Sequence, residues 1–153
     1  MFSTSPKVSR DREAALRRIP MFAELSPAEL ARVASQMAEI ELPAGATLMT
    51  QHERGREAVI IADGLAEVCV DGRPVTSVSS GDLVGELALL DSGPRTATVT
   101  ALTRIRAYVL DPRQFSVLFE NPKSARWIAT ELARRLREVN AHVRAADNVA
   151  LAG

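Results

Sequence analysis

The chain has 153 residues, 46% hydrophobic, 25% charged and 4% aromatic, which fits one globular domain and leaves little room for a second. Lys plus Arg and Asp plus Glu both number 19, so no global field gathers polyanions, which argues against a generic nucleic-acid binder. Cys69 is the single cysteine and the 2 histidines, His52 and His142, cannot complete a zinc site with it, which excludes an intrachain disulfide and suggests a reducing compartment. No apolar run approaches the roughly 20 residues of a membrane span, and the opening MFSTSPKVSRDREAALRR lacks the apolar core of a signal peptide. A cytoplasmic protein is expected.

Charge is unevenly placed. Residues 1–18 hold five basic and two acidic groups, residues 123–147 hold six and three, and the middle holds eight and fourteen. Two basic ends therefore flank an acidic middle, where any bound anion needs a local device.

In chain order, SRDREAALRR (9–18) reads as a short helix with Ser9 as N-cap and Asp11 and Glu13 in its first turn. Pro20 ends it. Ser26-Pro27-Ala28-Glu29 then starts a second helix with a capping serine, an early proline and a glutamate three residues after the cap, followed by Leu30, Val33, Ala34 and Met37 at helical spacing.

From residue 38 to 110 the pattern becomes short runs of strand-formers: 40–42, 47–49, 58–61, 66–70, 75–78, 96–101 and 105–110. Their spacing suits a sandwich or rolled-up barrel, and Asp71-Gly72 marks a hairpin because both residues tolerate positive φ. Cys69 falls within a strand and reads as a small buried hydrophobe. After Asp111-Pro112 a short helix (112–119) breaks at Asn121-Pro122, and a longer one runs from Lys123 to Asp147. Along it Ala129, Leu132, Leu136, Val139, Val143 and Ala146 alternate by three and four, a seam that either packs on the chain's own roll or seeks a partner.

Residues 81–101, GDLVGELALLDSGPRTATVTA, depart from ordinary strand and turn chemistry. Gly81, Gly85 and Gly93 divide them into a tight approach, a single helical turn at 86–90 and a loop delivering Pro94-Arg95-Thr96. Free amides of Leu87 and Ala88 at such a helix start form an anion site, and Arg95 adds a planar fork that matches two phosphate oxygens. Glu86 offers an acceptor pair for a sugar hydroxyl. The implied ligand has one compact phosphate, one hydroxyl and an apolar or aromatic body. The plainer alternatives are a loop salt bridge for Arg95, a helix-start carboxylate for Glu86 and a strand residue for Thr96; His52 and His142 read as exposed and inert.

GELALLDSGPRTATV resembles the phosphate-binding cassette of cyclic nucleotide-binding domains, with Gly85, Glu86, Leu87, Ala88, Pro94, Arg95, Ala97 and Val99 in register. LPAGATLMTQ and IIADGLAEV resemble the family's first roll strands and its inter-strand glycine turn. The resemblance implies an α+β fold: an antiparallel, jelly-roll-like β-roll of about eight strands, with N-terminal helices, a cassette helix and C-terminal hinge and lid helices. It implies one domain over 9–147, comprising a helical segment 9–37, a roll 38–110 with the cassette at 81–101 and C-terminal helices 112–147, between flexible tails 1–8 and 148–153.

By the same resemblance Arg95 pairs with the cyclic phosphate, Glu86 takes the ribose 2'-hydroxyl, Gly85, Leu87 and Ala88 supply backbone groups, and Thr96, next to Ala97, tunes base choice. Cyclic AMP is the expected ligand, cyclic GMP the alternative, and no cofactor is implied. The family usually has glycine where His52 stands and an acidic residue where Arg56 stands, so a different turn is expected there. Residues 148–153 cannot form a helix-turn-helix, so no DNA binding by this chain alone is expected. No nucleophile set, GxxxxGK loop or histidine cluster supports catalysis, and a non-enzyme is expected. Partners are the nucleotide and either a second copy through helix 123–147 or an effector protein. The competing readings are an interaction module that binds no nucleotide and a sensor fragment of a larger regulated protein.

Overall fold

The computed structural model describes residues 6–86 and 93–152. Three helices lead the chain: α1 (Pro6–Arg17), α2 (Pro20–Ala23) and α3 (Pro27–Gln36). Helix α1 begins at Pro6 rather than after Ser9, which lies inside it, so Asp11 and Glu13 fall beyond the first turn. The fixed φ of proline suits a first helical position, and this start outcompetes the expected serine cap. Pro20 also opens α2, a helical turn in MFAEL that periodicity over so few residues does not announce. Helix α3 starts as expected, with Ser26 Oγ accepting from Glu29 N at 3.2 Å and Glu29 Oε1 accepting from Ser26 N at 3.0 Å.

Among the described residues eight strands follow: β1 (Ala38–Leu42), β2 (Thr47–Met49), β3 (Ala58–Asp63), β4 (Leu65–Val70), β5 (Arg73–Ser79), β6 (Leu83–Val84), β7 (Thr98–Ala101) and β8 (Ile105–Leu110). They form two antiparallel sheets ordered β1-β8-β3-β6 and β2-β7-β4-β5, the expected α+β roll. Val70 pairs with Arg73 across Asp71 and Gly72, both at positive φ (52° and 78°), as a two-residue hairpin requires. Strand β6 was hidden in the cassette sequence, too short to show a period. Strand β7 starts at Thr98, so Thr96 lies outside it.

Strand β3 explains why the sheets are layered as they are. Its Ala58 and Ile60 join a core with Leu16, Phe22, Leu30, Phe115 and Leu118, while Val59 and Ile61 face Met49, Val84, Val99 and Ile105 inside the roll. A strand buried on both faces reads as a continuous apolar run, as AVII does. The first core glues the helices to one sheet; the second fills the roll. Cys69 departs from expectation: it is half-buried beside a register shift in β4, and its thiol donates to Glu67 Oε1 at 3.1 Å. That bond raises the thiol's pKa, with burial and the Glu67 charge adding to it.

After β8, α4 (Pro112–Glu120) is capped by Asp111 and Gln114, and α5 runs from Pro122 to Ala152, past the expected end at Asp147. Asn121 joins them: its Oδ1 accepts from Lys123 N at 3.0 Å and its Nδ2 donates to Glu24 O at 3.1 Å, fixing the start of α5 to the N-terminal helices. Ser124 and Ile128 are buried in the first turns of α5, whereas Leu132, Leu136 and Val143 are 37%, 62% and 54% exposed. The side chains of Val139 and Ala146, also assigned to the seam, lie outside the described part. At about 1.5 Å per residue the 31 residues of α5 span about 46 Å. No helix among the described residues is long and apolar enough to cross a membrane.

Candidate functional site

Strand β6 delivers the site. Leu83 and Val84 pair with Ile60 and Val59 of β3, and the chain leaves that short ladder through Gly85 at φ 83°, a left-handed turn that brings Glu86 into helical backbone. Leu87 and Ala88, the expected amide donors, lie outside the described residues.

Arg95 arrives from the other side. Its backbone N–H donates to Glu53 O at 2.8 Å and its carbonyl accepts from His52 N at 2.9 Å, a two-bond ladder extended by the bridge between Arg54 and Pro94. His52 makes this possible by taking φ 73°. By the resemblance above glycine is expected at this position, and the left-handed backbone that glycine serves is adopted here by histidine, one of the side chains that tolerate it best. Arg56, where the resemblance leads to an acidic residue, is exposed, and the neighbouring Glu57 is the carboxylate whose charge reaches Arg95.

The guanidinium of Arg95 lies between two glycines. A Cβ on Gly55 would overlap its Nε, Cζ and Nη2; one on Gly85 would come within 2.6 Å of its Nη1 and of Met49 Cε. Nη1 donates to Gly85 O at 3.3 Å. Burial pushes the Arg95 pKa below its ordinary value and the Glu57 charge pulls the other way. Among the described residues no carboxylate forms an ion pair with it. The result is a half-buried, oriented cation whose charge is not bridged within the described chain.

Glu86 is half-buried and shares a small apolar cavity with Met21, Phe115, Trp127, Ile128, Glu131 and Leu132. The start of α5 therefore adjoins the cassette directly. Thr96 is exposed in a bend, and Ala97 is half-buried between it and β7. The structure thus brings Gly85 and Arg95 into contact and sets Glu86 next to Gly85, facing α5. Sequence reasoning missed Gly55 and Met49. In HERGRE the glycine reads only as loop, and its role emerges once Arg95, 40 positions later, is folded against it.

A two-sheet roll carrying an arginine in a glycine-bounded loop, flanked by helices before and after, is the architecture of a cyclic nucleotide-binding domain. The chain belongs to that family: the model for the cyclic nucleotide-binding domain matches residues 39–121. It is 31% identical over 131 residues to a CRP-like cAMP-activated global transcriptional regulator of Mycobacterium tuberculosis, covering 82% of this chain and 58% of that one. Its fold matches the regulatory domain of Toxoplasma gondii protein kinase A in complex with cAMP, at TM-score 0.71 and 29% identity, over 77% of this chain and 47% of that one. It also matches the regulatory subunit of a cAMP-independent protein kinase A from Trypanosoma brucei, at TM-score 0.73 and 28% identity, over 76% and 43%. The chain spans little more than half of the mycobacterial regulator and less than half of each kinase chain.

Proposed function

We propose that this chain is a cyclic nucleotide sensor with cyclic AMP as its first candidate ligand and cyclic GMP as the second. The observation that carries this is the seat of Arg95: a guanidinium held between Gly55 and Gly85, half out of water and without a bridging carboxylate among the described residues. Withdrawing a cation from water is costly unless a partner compensates, and a planar guanidinium matches two phosphate oxygens at once. Glu86 takes the ribose hydroxyl, Gly85 and the amides of Leu87 and Ala88 complete the cradle, and Thr96 beside Ala97 meets the base from its exposed position.

The cavity shared by Glu86, Trp127 and Glu131 supports a route for the signal. A ligand that reorients Glu86 repacks the first turns of α5, and the helix then carries the change away from the roll. Residues 9–147 form the sensing unit, and its role is regulatory, not catalytic, in line with the names of its relatives. The exposed seam of α5 takes a second copy of the chain.

Calorimetric titration with cyclic AMP and cyclic GMP, with 5'-AMP as control, tests the reading. Saturable binding of one cyclic nucleotide is expected, weakened in Arg95→Ala by about 2 to 5 kcal/mol, or roughly 30-fold to several thousand-fold. Unchanged affinity in that variant overturns the assignment of Arg95. Absence of binding by either nucleotide at millimolar concentration overturns the sensor itself and favours an interaction module, a reading that the cAMP-independent relative keeps open.

A further inference from the structure

A second recess lies on another side of the roll, between α1 and the sheet that α1 covers. It has a volume of about 280 Å³. Its helical wall is one face of α1, Asp11, Ala14 and Ala15, spaced by three and four residues, continued by Arg18 in the turn just past the end of α1. The space exists because that face carries two alanines where Leu16 and Ile19, on the neighbouring face, are buried in the core. The opposite wall comes from Ala62 and Asp63 of β3 and from the turn at Ser80.

This wall is rigid. Ser80 Oγ donates to Ala62 O at 2.7 Å, Gly81 N donates to Ile61 O at 2.8 Å and Ile61 N donates to Asp82 O at 3.0 Å. Arg106 is committed as well: it donates twice to Asp63 Oδ2, at 2.9 and 2.8 Å, once to Glu39 at 3.0 Å and once to the hydroxyl of buried Tyr108 at 2.9 Å. The charges of Asp11, on α1, and Arg18, just past its end, are different. Asp11 and Arg18 are exposed, and neither makes an ion pair among the described residues. They stand seven residues apart in sequence, Asp11 within α1 and Arg18 in the turn that follows it.

The geometry points to a second binding site in this recess for a small zwitterion, of the size and polarity of a short peptide or an ω-amino acid. Its cationic end meets Asp11 and the open Oδ1 of Asp63; its anionic end meets Arg18. Its neutral body lies over the methyl groups of Ala14 and Ala15, where nothing larger than a methyl group fills the helix face. A simple anion fits poorly, because Asp11 and Asp63 would face it. A simple cation fits poorly because of Arg18, whose charge no ion pair offsets among the described residues.

The test is titration of the full chain with triglycine, a small zwitterion with one charge at each end, against N-acetyl-triglycine and triglycine amide, which each lack one charge. Backbone amide resonances of Ala14, Ala15, Ala62 and Ser80 report occupancy. Saturable shifts with triglycine are expected. Each blocked analogue, and each of Arg18→Gln and Asp11→Asn, should bind about tenfold more weakly, because each removes one charge-assisted hydrogen bond. Arg95→Ala should leave the shifts unchanged, which separates this site from the nucleotide site. No perturbation at tens of millimolar triglycine overturns the proposal, as does equal binding of all three compounds or indifference to Arg18→Gln. Exposure of both substituted side chains keeps the variants folded.

Discussion

Gly55 and Arg95 are packed so closely that the missing Cβ of the one is the room taken by the guanidinium of the other. Gly55 has no left-handed φ, so alanine fits its backbone, and the strain of Gly55→Ala falls on the movable end of Arg95. Thermal stability should therefore stay near that of the parent while cyclic nucleotide affinity drops by about tenfold, less than when Arg95 itself is removed. Gly85→Ala should behave differently. There φ is 83°, and the added Cβ also meets Met49, so a stability loss of about 1 to 2 kcal/mol accompanies the loss of binding. Denaturation midpoints and titration of both variants separate the two cases; equal destabilisation by both would refute the distinction.

His52 carries a backbone cost that glycine would not. At φ 73° an L side chain is strained by about 1 to 2 kcal/mol, partly offset because histidine loses less conformational freedom on folding than glycine does. His52→Gly should be neutral or stabilising by up to about 1 kcal/mol, measured by urea unfolding. His52→Val places a β-branched residue in that conformation and should destabilise the chain. Because His52 N holds Arg95 O, the valine variant should also weaken nucleotide binding.

The roll was legible because its signals are local. The turn Asp71-Gly72, the capping box at Ser26 and Glu29 and the break at Asn121-Pro122 each state their geometry within four residues. An anion site using Arg95 was legible in the residues of the cassette, but the contact of Arg95 with Gly85 was not, since nothing in spacing alone brings positions ten apart together. What escaped lies in tertiary contact. Gly55 has meaning only beside Arg95, Glu86 shares a cavity with Trp127 and Glu131 only because the first turns of α5 pack beside it, and β6 exists only because two residues find β3. Local competition explains the rest: Pro6 displaced Ser9 as the helix start, and the register shift beside Cys69 left its thiol half in water and bonded to Glu67.

The Glu29 carboxyl titrates below its ordinary range, chiefly because it accepts the Ser26 backbone N–H, with the Ser26 hydroxyl, Asn121 and Arg32 acting in the same direction. A depressed carboxyl in the folded state stabilises the fold above its unfolded pKa, and that contribution is lost as pH falls through the folded value. Glu29→Gln keeps an acceptor for Ser26 but removes the titration. The stability difference between parent and variant should be level near neutral pH and shrink as pH drops below about 4. A difference that stays constant through that range, in unfolding curves collected across it, would exclude Glu29 as the group responsible.

The projecting part of α5 should associate. Leu136 and Val143 are 62% and 54% exposed and stand two turns apart, with half-exposed Leu132 one turn before, which aligns three apolar side chains on one face. Burying a leucine side chain is worth about 1.5 to 3 kcal/mol, and a two-fold pair of helices buries each position twice. Leu136→Glu should leave the unfolding of the separated monomer unchanged, because the side chain has little to lose there, and should weaken dimerisation by at least about a hundredfold. Sedimentation equilibrium of parent and variant reads this directly. A parent chain that stays monomeric at high concentration would leave the seam to an effector protein, and an unaffected dimer in Leu136→Glu would place the interface elsewhere on the roll.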